Sequence, residues 1–144
     1  MDTDIFKRLV EYISVKAGAI ARRPAIVVES GTTIEEAARI MAERRIGFLP
    51  VVSAGKLIGV ISERDIVRAV ASGVPPAAPV DEVMSREVVT VNFNDDVEAV
   101  WSLMREMDIR HIVVMRGDEI YGVISIRDFL AERIALGRLA QSPS

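Results

Sequence analysis

The sequence contains one seven-residue phrase twice, and each copy places a serine three residues before an aspartate. Residues 59–65 read GVISERD and residues 122–128 read GVISIRD. In both copies an apolar run that is typical of a strand leads into the serine. A carboxylate at this point can accept two hydrogen bonds from the vicinal hydroxyls of a ribose, and the serine hydroxyl can reach a sugar or a phosphate. The two phrases are therefore candidates for a ligand site.

The same spacing has a second explanation that needs no ligand. Ser-x-x-Asp matches a helix capping box, in which the two side chains satisfy free N–H groups of the first turn. A helix that begins at the end of a strand also attracts anions. Arg64 and Arg127 precede the two aspartates and could bind a phosphate. Gly59 and Gly122 would let another backbone or a flat ring approach closely. One copy alone leaves both interpretations open.

The composition excludes several kinds of chemistry. The chain has no cysteine, which excludes disulfides and thiolate nucleophiles, and its single histidine, His111, argues against a histidine-based metal centre. A net charge of −3 argues against nucleic acid as a partner. No apolar run approaches the roughly 20 residues of a membrane span, so we expect a soluble, cytoplasmic protein. The acidic pairs at 95–96 and 118–119 are better explained by a helix cap and a turn than by catalysis.

A large part of the sequence repeats with an offset of 63 residues, which aligns 21–74 with 84–137. Each copy begins with a short strand, AIVV or VVTV. A helix follows, and the pairs Thr32 with Glu35 and Asp95 with Glu98 are predicted to cap it. The apolar residues of these helices recur at helical spacing and predict a core-facing stripe.

Two strands and a second helix complete each copy. FLPVV and LIGVI flank a tight turn in the first copy, as HIVVM and IYGVI do in the second. Pro50 predicts that its strand lies at a sheet edge or begins there, because proline cannot donate to a ladder. The last helix of each copy should end near Gly73 or Gly137.

These elements predict the organisation of the chain. We expect an N-terminal helix in residues 1–20, a first repeat at 21–73, a proline-rich linker at 74–80, a second repeat at 81–137 and a flexible tail at 138–144. A unit of about 55 residues buries its sheet poorly alone. The predicted fold class is therefore α/β (α+β), with two β-α-β-β-α repeats packed through their sheets with pseudo-two-fold symmetry.

Residues 17–137 resemble tandem CBS (cystathionine-β-synthase-type) domains, the pair often called a Bateman module. The resemblance rests on the repeat, on IGFLPVV aligned with IRHIVVM, and on the Ser-x-x-Asp phrase in both copies. It implies a small regulatory protein that forms dimers and binds AMP, ADP, ATP or S-adenosylmethionine in clefts between the repeats. No cofactor would be required.

The resemblance also implies which residues form each site. One site would combine Val60, Ser62 and Asp65 with Val89, Ile109, Arg110, His111 and Arg127. The other would combine Val123, Ser125 and Asp128 with Ile26, Ile46, Gly47 and Arg64. The second site lacks counterparts of Arg110 and His111, since Gly47 and Phe48 stand there, so we expect it to bind phosphates less well.

Three functions compete at this point. The first is a nucleotide sensor that acts through a homodimer or an unidentified effector protein. The second is a ligand-free dimerisation or protein-interaction scaffold, in which the Ser-x-x-Asp pairs are only helix caps. The third is an enzyme, which we do not expect: the (β/α)₈ barrel that carries catalysis in some proteins with CBS pairs needs about 250 residues.

Overall fold

The computed structural model describes residues 15–128. Within them the chain forms two compact units that do not follow the order of the sequence. One unit contains residues 25–89, and the other joins the described residues up to Pro24 to those from Thr90 onward. Among the described residues, no helix has the length and apolar character needed to cross a bilayer.

The unit of residues 25–89 contains a three-stranded sheet in the order β1-β2-β3. Strand β1 (Val28–Glu29) runs parallel to β2 (Phe48–Ser53), and β2 is antiparallel to β3 (Lys56–Ser62). Helix α2 (Ile34–Arg44) connects β1 to β2, and helix α3 (Glu63–Ala71) follows β3 directly. The apolar positions of these elements form one core, made of Val28, Ala37, Met41, Leu49, Val51, Ile61, Val80 and Met84. Burial of this apolar surface stabilises the unit.

The other unit repeats this arrangement. Its described part begins with a single turn, α1 (Ala17–Ile20), and continues with β4 (Thr90–Asn92), α4 (Val97–Met107), β5 (His111–Arg116) and β6 (Glu119–Ser125). The strand order is β4-β5-β6, with one parallel and one antiparallel pair. Residues 126–128 are helical where the description ends. The predicted α+β class with two related repeats is confirmed, and the predicted end at Gly137 and tail at 138–144 lie outside the described residues.

The predicted linker of residues 74–80 packs on the first repeat. The linker is fixed to the start of α2, where Ile34 N–H donates to Ala78 O at 2.9 Å and Glu35 N–H donates to Pro76 O at 3.0 Å. Val80 opens a 3-10 turn (Val80–Glu82) and is fully buried. The last residue of the predicted linker, Val80, is therefore part of the core of residues 25–89.

Most of the N-terminal helix predicted for residues 1–20 falls outside the described residues. Residues 1–14 lie outside the description, but Lys16 is extended and its backbone bridges to Asp96. Val97 N–H donates to Val15 O at 2.9 Å. Within the described part of this segment, residues 15–16 pair with the start of α4 and Ala17–Ile20 are helical.

Both predicted caps of the first helices are wrong in register. Thr33, one residue later than predicted, caps α2, and its Oγ1 accepts from Glu36 N–H at 3.0 Å. Asp96 is the N-cap of α4 without a side-chain cap bond. Asp95 instead accepts from Asn92 N–H at 2.9 Å, which fixes the turn before the helix. Backbone hydrogen bonds to segments distant in sequence set these starts, from Ile34 N–H to Ala78 O and from Val97 N–H to Val15 O.

Pro50 lies in the central strand β2, so the predicted edge position is wrong. The strand accommodates it because β1 pairs only with Val51 and Val52. On the other side Pro50 faces Val60, whose N–H and C=O both bond to Ser85. No ladder bond therefore requires a proline N–H.

Candidate functional site

Both Ser-x-x-Asp phrases form helix caps, as the capping interpretation predicts. Ser62 is the extended N-cap of α3, and its backbone N–H donates to Asp65 Oδ2 at 2.8 Å while its Oγ accepts from Asp65 N–H at 3.3 Å. Ser125 and Asp128 repeat these bonds at 3.2 and 3.4 Å. In each pair the serine Oγ also lies 3.0 Å from the aspartate Oδ2. The capping function uses one carboxylate oxygen and leaves Oδ1 available for another partner.

The two aspartates differ at this second oxygen. Arg22 Nε lies 2.8 Å from Asp128 Oδ1 and forms an ion pair with it. Within residues 15–128, no hydrogen bond or ion pair reaches Oδ1 of Asp65. Asp65 is half-buried and the helix beginning beside it supplies a positive dipole end. Among the described residues, Oδ1 of Asp65 is therefore available as a hydrogen-bond acceptor.

The glycine of each phrase is explained by a backbone that crosses it. A Cβ on Gly59 would lie 2.9 Å from Ser85 O, and a Cβ on Gly122 would lie 2.6 Å from Arg22 O. The crossing segments pair with the next residue in the strand, Ser85 with Val60 and Arg22 with Val123. The expectation of a close backbone approach is confirmed, and it places residues 22 and 85 beside the two caps.

The turn before each hairpin also lies at these caps. Arg110 O accepts from Ile126 N–H at 2.8 Å, and Gly47 O accepts from Glu63 N–H at 2.9 Å. Arg110 is exposed and its neighbour His111 is half-buried, opposite Ser125 in the strand register. Arg110 and His111 thus lie in the same unit as the Ser125–Asp128 cap, and Gly47 lies in the same unit as the Ser62–Asp65 cap.

The remaining predicted residues line the same elements. Arg64 and Arg127 are exposed in the first turn after each cap. The apolar candidates are half-buried beside the strands or in the segments that lead into them: Ile26, Ile46, Val60, Val89, Ile109 and Val123. The two predicted sets draw on both units, and their assembly into one site each stays a prediction.

Sequence reasoning missed Arg22 as a partner of Asp128. The sequence does indicate the counterpart of Arg22 in the other repeat, because the 63-residue offset aligns Arg22 with Ser85. The sequence does not indicate the ion pair between Arg22 and Asp128, because these residues are 106 positions apart. Among the described residues, no cluster of three or more histidine, cysteine, aspartate or glutamate side chains could hold a metal ion.

Comparison with known proteins gives a consistent family. A family model described as the CBS domain matches residues 17–72 and 80–135. The CBS domain-containing protein YhcV of Bacillus subtilis is 34% identical over 109 residues, which span 75% of this chain and 78% of that protein.

Solved structures agree in fold. The CBS domain protein PAE2072 from Pyrobaculum aerophilum, complexed with AMP, has 32% identity and a TM-score of 0.80, and the match covers 89% of this chain and all of that one. The CBS domain pair of protein MJ0100, in complex with 5′-methylthioadenosine and S-adenosyl-L-methionine, has 28% identity and a TM-score of 0.77 over 86% of this chain and 98% of that one.

Proposed function

We propose, from the premise that the chain belongs to the CBS domain family, that it is a regulatory module that binds an adenine nucleotide or a related adenosyl compound. The ligand is AMP, ADP, ATP or S-adenosylmethionine, and it acts as a signal rather than as a substrate. The alternative is a ligand-free scaffold in which the Ser-x-x-Asp pairs only cap helices.

The observation that carries the proposal is that the capping box uses only one of the two carboxylate oxygens of Asp65. Oδ2 closes the capping box, whereas Oδ1 has no partner among the described residues. A cap alone needs only the first oxygen. A ribose presents two adjacent hydroxyl donors, and a carboxylate is an acceptor of the matching kind. Hydrogen bonds to a charged acceptor contribute about 1.5–3 kcal/mol each.

Charge around the phrases supports a phosphorylated or otherwise charged ligand. Arg64, Arg110 and Arg127 have exposed side chains, and each lies near the beginning of a helix. Guanidinium groups bind phosphate oxygens in a forked geometry. The adenosyl ligands of the two solved relatives share the ribose that Asp65 would bind, so the aspartate would recognise the part that is common to all candidates.

A sensor needs an output, and we propose that this output is a homodimer or an effector protein. Ligand binding can shift such an assembly only by its different affinity for the two states. Val67 and Val70 are exposed three residues apart on α3, with 67% and 69% of their surface accessible. An apolar pair at this spacing lies on one face of the helix and would suit a symmetric partner.

The test is a calorimetric titration with AMP, ADP, ATP and S-adenosylmethionine, with guanosine monophosphate as a base control. We expect saturable heat with at least one adenosyl compound and a weaker response to the guanine nucleotide. A ligand at 100 times its Kd should also stabilise the fold by roughly 2.7 kcal/mol. No heat and no thermal shift with any of the four compounds would favour the scaffold.

A further inference from the structure

We infer that Arg22 competes with a bound nucleoside for the carboxylate of Asp128, and that this competition makes the two Ser-x-x-Asp sites unequal. The inference rests on the proposed function and adds a residue that determines the affinity of one site. It concerns the ribose end of the ligand, and it is independent of the phosphate-binding residues.

Both oxygens of Asp128 are occupied. Oδ2 accepts from Ser125 N–H at 3.2 Å and lies 3.0 Å from Ser125 Oγ. Oδ1 accepts from Arg22 Nε at 2.8 Å, which is the length of a charge-assisted hydrogen bond. A ribose hydroxyl that approaches Oδ1 must displace the guanidinium first.

The backbone of Arg22 holds the side chain at this point. Arg22 N–H donates to Val123 O at 2.9 Å, and Val123 N–H donates to Arg22 O at 3.2 Å. The side chain of Arg22 is 66% exposed, whereas that of Asp128 is only 13% exposed. The Arg22 side chain can therefore move into solvent, and the backbone bonds of Arg22 keep this residue close to Asp128.

The other unit provides a matched site without this arginine. Ser85 aligns with Arg22 and makes the same two backbone bonds, here to Val60 and both at 2.9 Å. The Ser85 hydroxyl bonds to Glu87 O at 3.5 Å and not to the neighbouring cap. Among residues 15–128, Oδ1 of Asp65 therefore has no hydrogen-bond or ion-pair partner, in an otherwise equivalent backbone setting.

The difference in affinity between the Asp65 site and the Asp128 site is best measured with adenosine, because this ligand has the ribose but no phosphate. The ion pair is exposed on its arginine side, and such a pair contributes about 1 kcal/mol, so its removal should strengthen adenosine binding roughly three- to fivefold. Adenosine is uncharged, and any effect of Arg22 on its binding therefore reports competition at the diol rather than attraction to a phosphate.

The experiment isolates each site in the full chain by calorimetric titration with adenosine. In an Asp65→Asn background only the Asp128 site remains, and Arg22→Gln should increase its affinity. In an Asp128→Asn background only the Asp65 site remains, and Ser85→Arg should decrease its affinity. Thermal melting of each variant checks that the protein is folded. We expect Arg22→Gln and Ser85→Arg to preserve the fold, because both side chains are exposed.

Salt concentration provides a second measurement. Raising the ionic strength screens the exposed ion pair, so adenosine affinity should rise at the Asp128 site and should not rise in the Arg22→Gln variant. If Arg22→Gln leaves adenosine binding unchanged or weaker in the Asp65→Asn background, while the Asp128→Asn variant still binds adenosine, the inference is overturned and the proposed function stands. Absence of binding in every variant, including the wild type, overturns both.

Discussion

The two carboxylate oxygens of each aspartate in the repeated phrase have different roles. Oδ2 belongs to the capping box in both copies. The sequence predicts this part, because Ser-x-x-Asp after an apolar strand has the spacing of a cap. The state of Oδ1 could not be predicted, because it depends on Arg22, which is distant in sequence and comes into place only through the fold.

The predicted phosphate-binding arginine can be tested at the same scale. We expect Arg110→Ala to weaken AMP binding at least tenfold and to leave adenosine binding nearly unchanged, because only the phosphate loses a charged partner. Calorimetric titration with both ligands measures the two effects. Arg105→Ala is the control, since Arg105 is an exposed arginine of α4 outside the predicted sites. Equal losses for adenosine and AMP would contradict a phosphate role.

At the scale of elements, the crossing segments explain why glycine recurs in the phrase. A Cβ on Gly59 would meet Met84 Sδ at 2.6 Å and the backbone oxygen of Ser85 at 2.9 Å. The backbone contact cannot move without breaking the pairing of Ser85 with Val60.

We therefore expect Gly59→Ala to destabilise the protein by about 1–3 kcal/mol, the usual cost of overpacking. Urea unfolding measures this change. Gly47→Ala is the control, because its Cβ would meet only the flexible side chain of Glu63, at 3.0 Å at the closest. A smaller loss for Gly59→Ala than for Gly47→Ala would refute the crossing-segment explanation.

The carboxylate of Asp81 links the 3-10 turn to the loop after β1. Ser30 Oγ–H and Gly31 N–H both donate to the Asp81 carboxylate. These two bonds, with the one from Ser30 as the larger cause, hold the pKa of Asp81 below its usual 3.8. A lowered pKa in the folded state means that the stabilisation is complete above the unfolded-state pKa and is lost as the pH falls through the folded-state pKa.

We expect Ser30→Ala to raise the pKa of Asp81 and to lower the melting temperature at pH 7, with a difference from wild type that shrinks below about pH 4. Melting curves across pH 2–7 test this dependence. Ser72→Ala, at the exposed end of α3, should give a difference that does not change with pH. A pH-independent loss for Ser30→Ala would show that the bond to Asp81 is not the cause.

Element order was predictable for a physical reason, and element boundaries were not. Strand and helix patterns repeat at a fixed offset, so each copy supports the assignment of the other. The cap of α2 falls on Thr33 and not on Thr32, because Ile34 N–H bonds to Ala78 O. Pro50 lies in a central strand because β1 is too short to pair with it. Both results depend on contacts between segments that no local pattern encodes.

At the scale of the whole molecule, we predict a homodimer. The exposed pair Val67 and Val70 supports this prediction, since large apolar side chains grouped on a surface often mark an interface. Light scattering should give about twice the mass of the 15.8 kDa chain. The double variant Val67→Lys/Val70→Lys should shift the protein toward monomer, whereas Glu43→Lys on the exposed face of α2 should not. A monomer at all micromolar concentrations would exclude the homodimer.

A two-by-two titration tests whether Asp65 binds the ribose of an adenosyl ligand. AMP and 2′,3′-dideoxy-AMP are each titrated into the wild-type protein and into Asp65→Asn, which keeps one oxygen for the cap but loses the charged second acceptor. We predict that removing the hydroxyls weakens binding about tenfold or more in the wild type and far less in Asp65→Asn, because both changes remove the same hydrogen bonds. An equal loss in both proteins would contradict the account, since the hydroxyls would then be bound elsewhere or not at all.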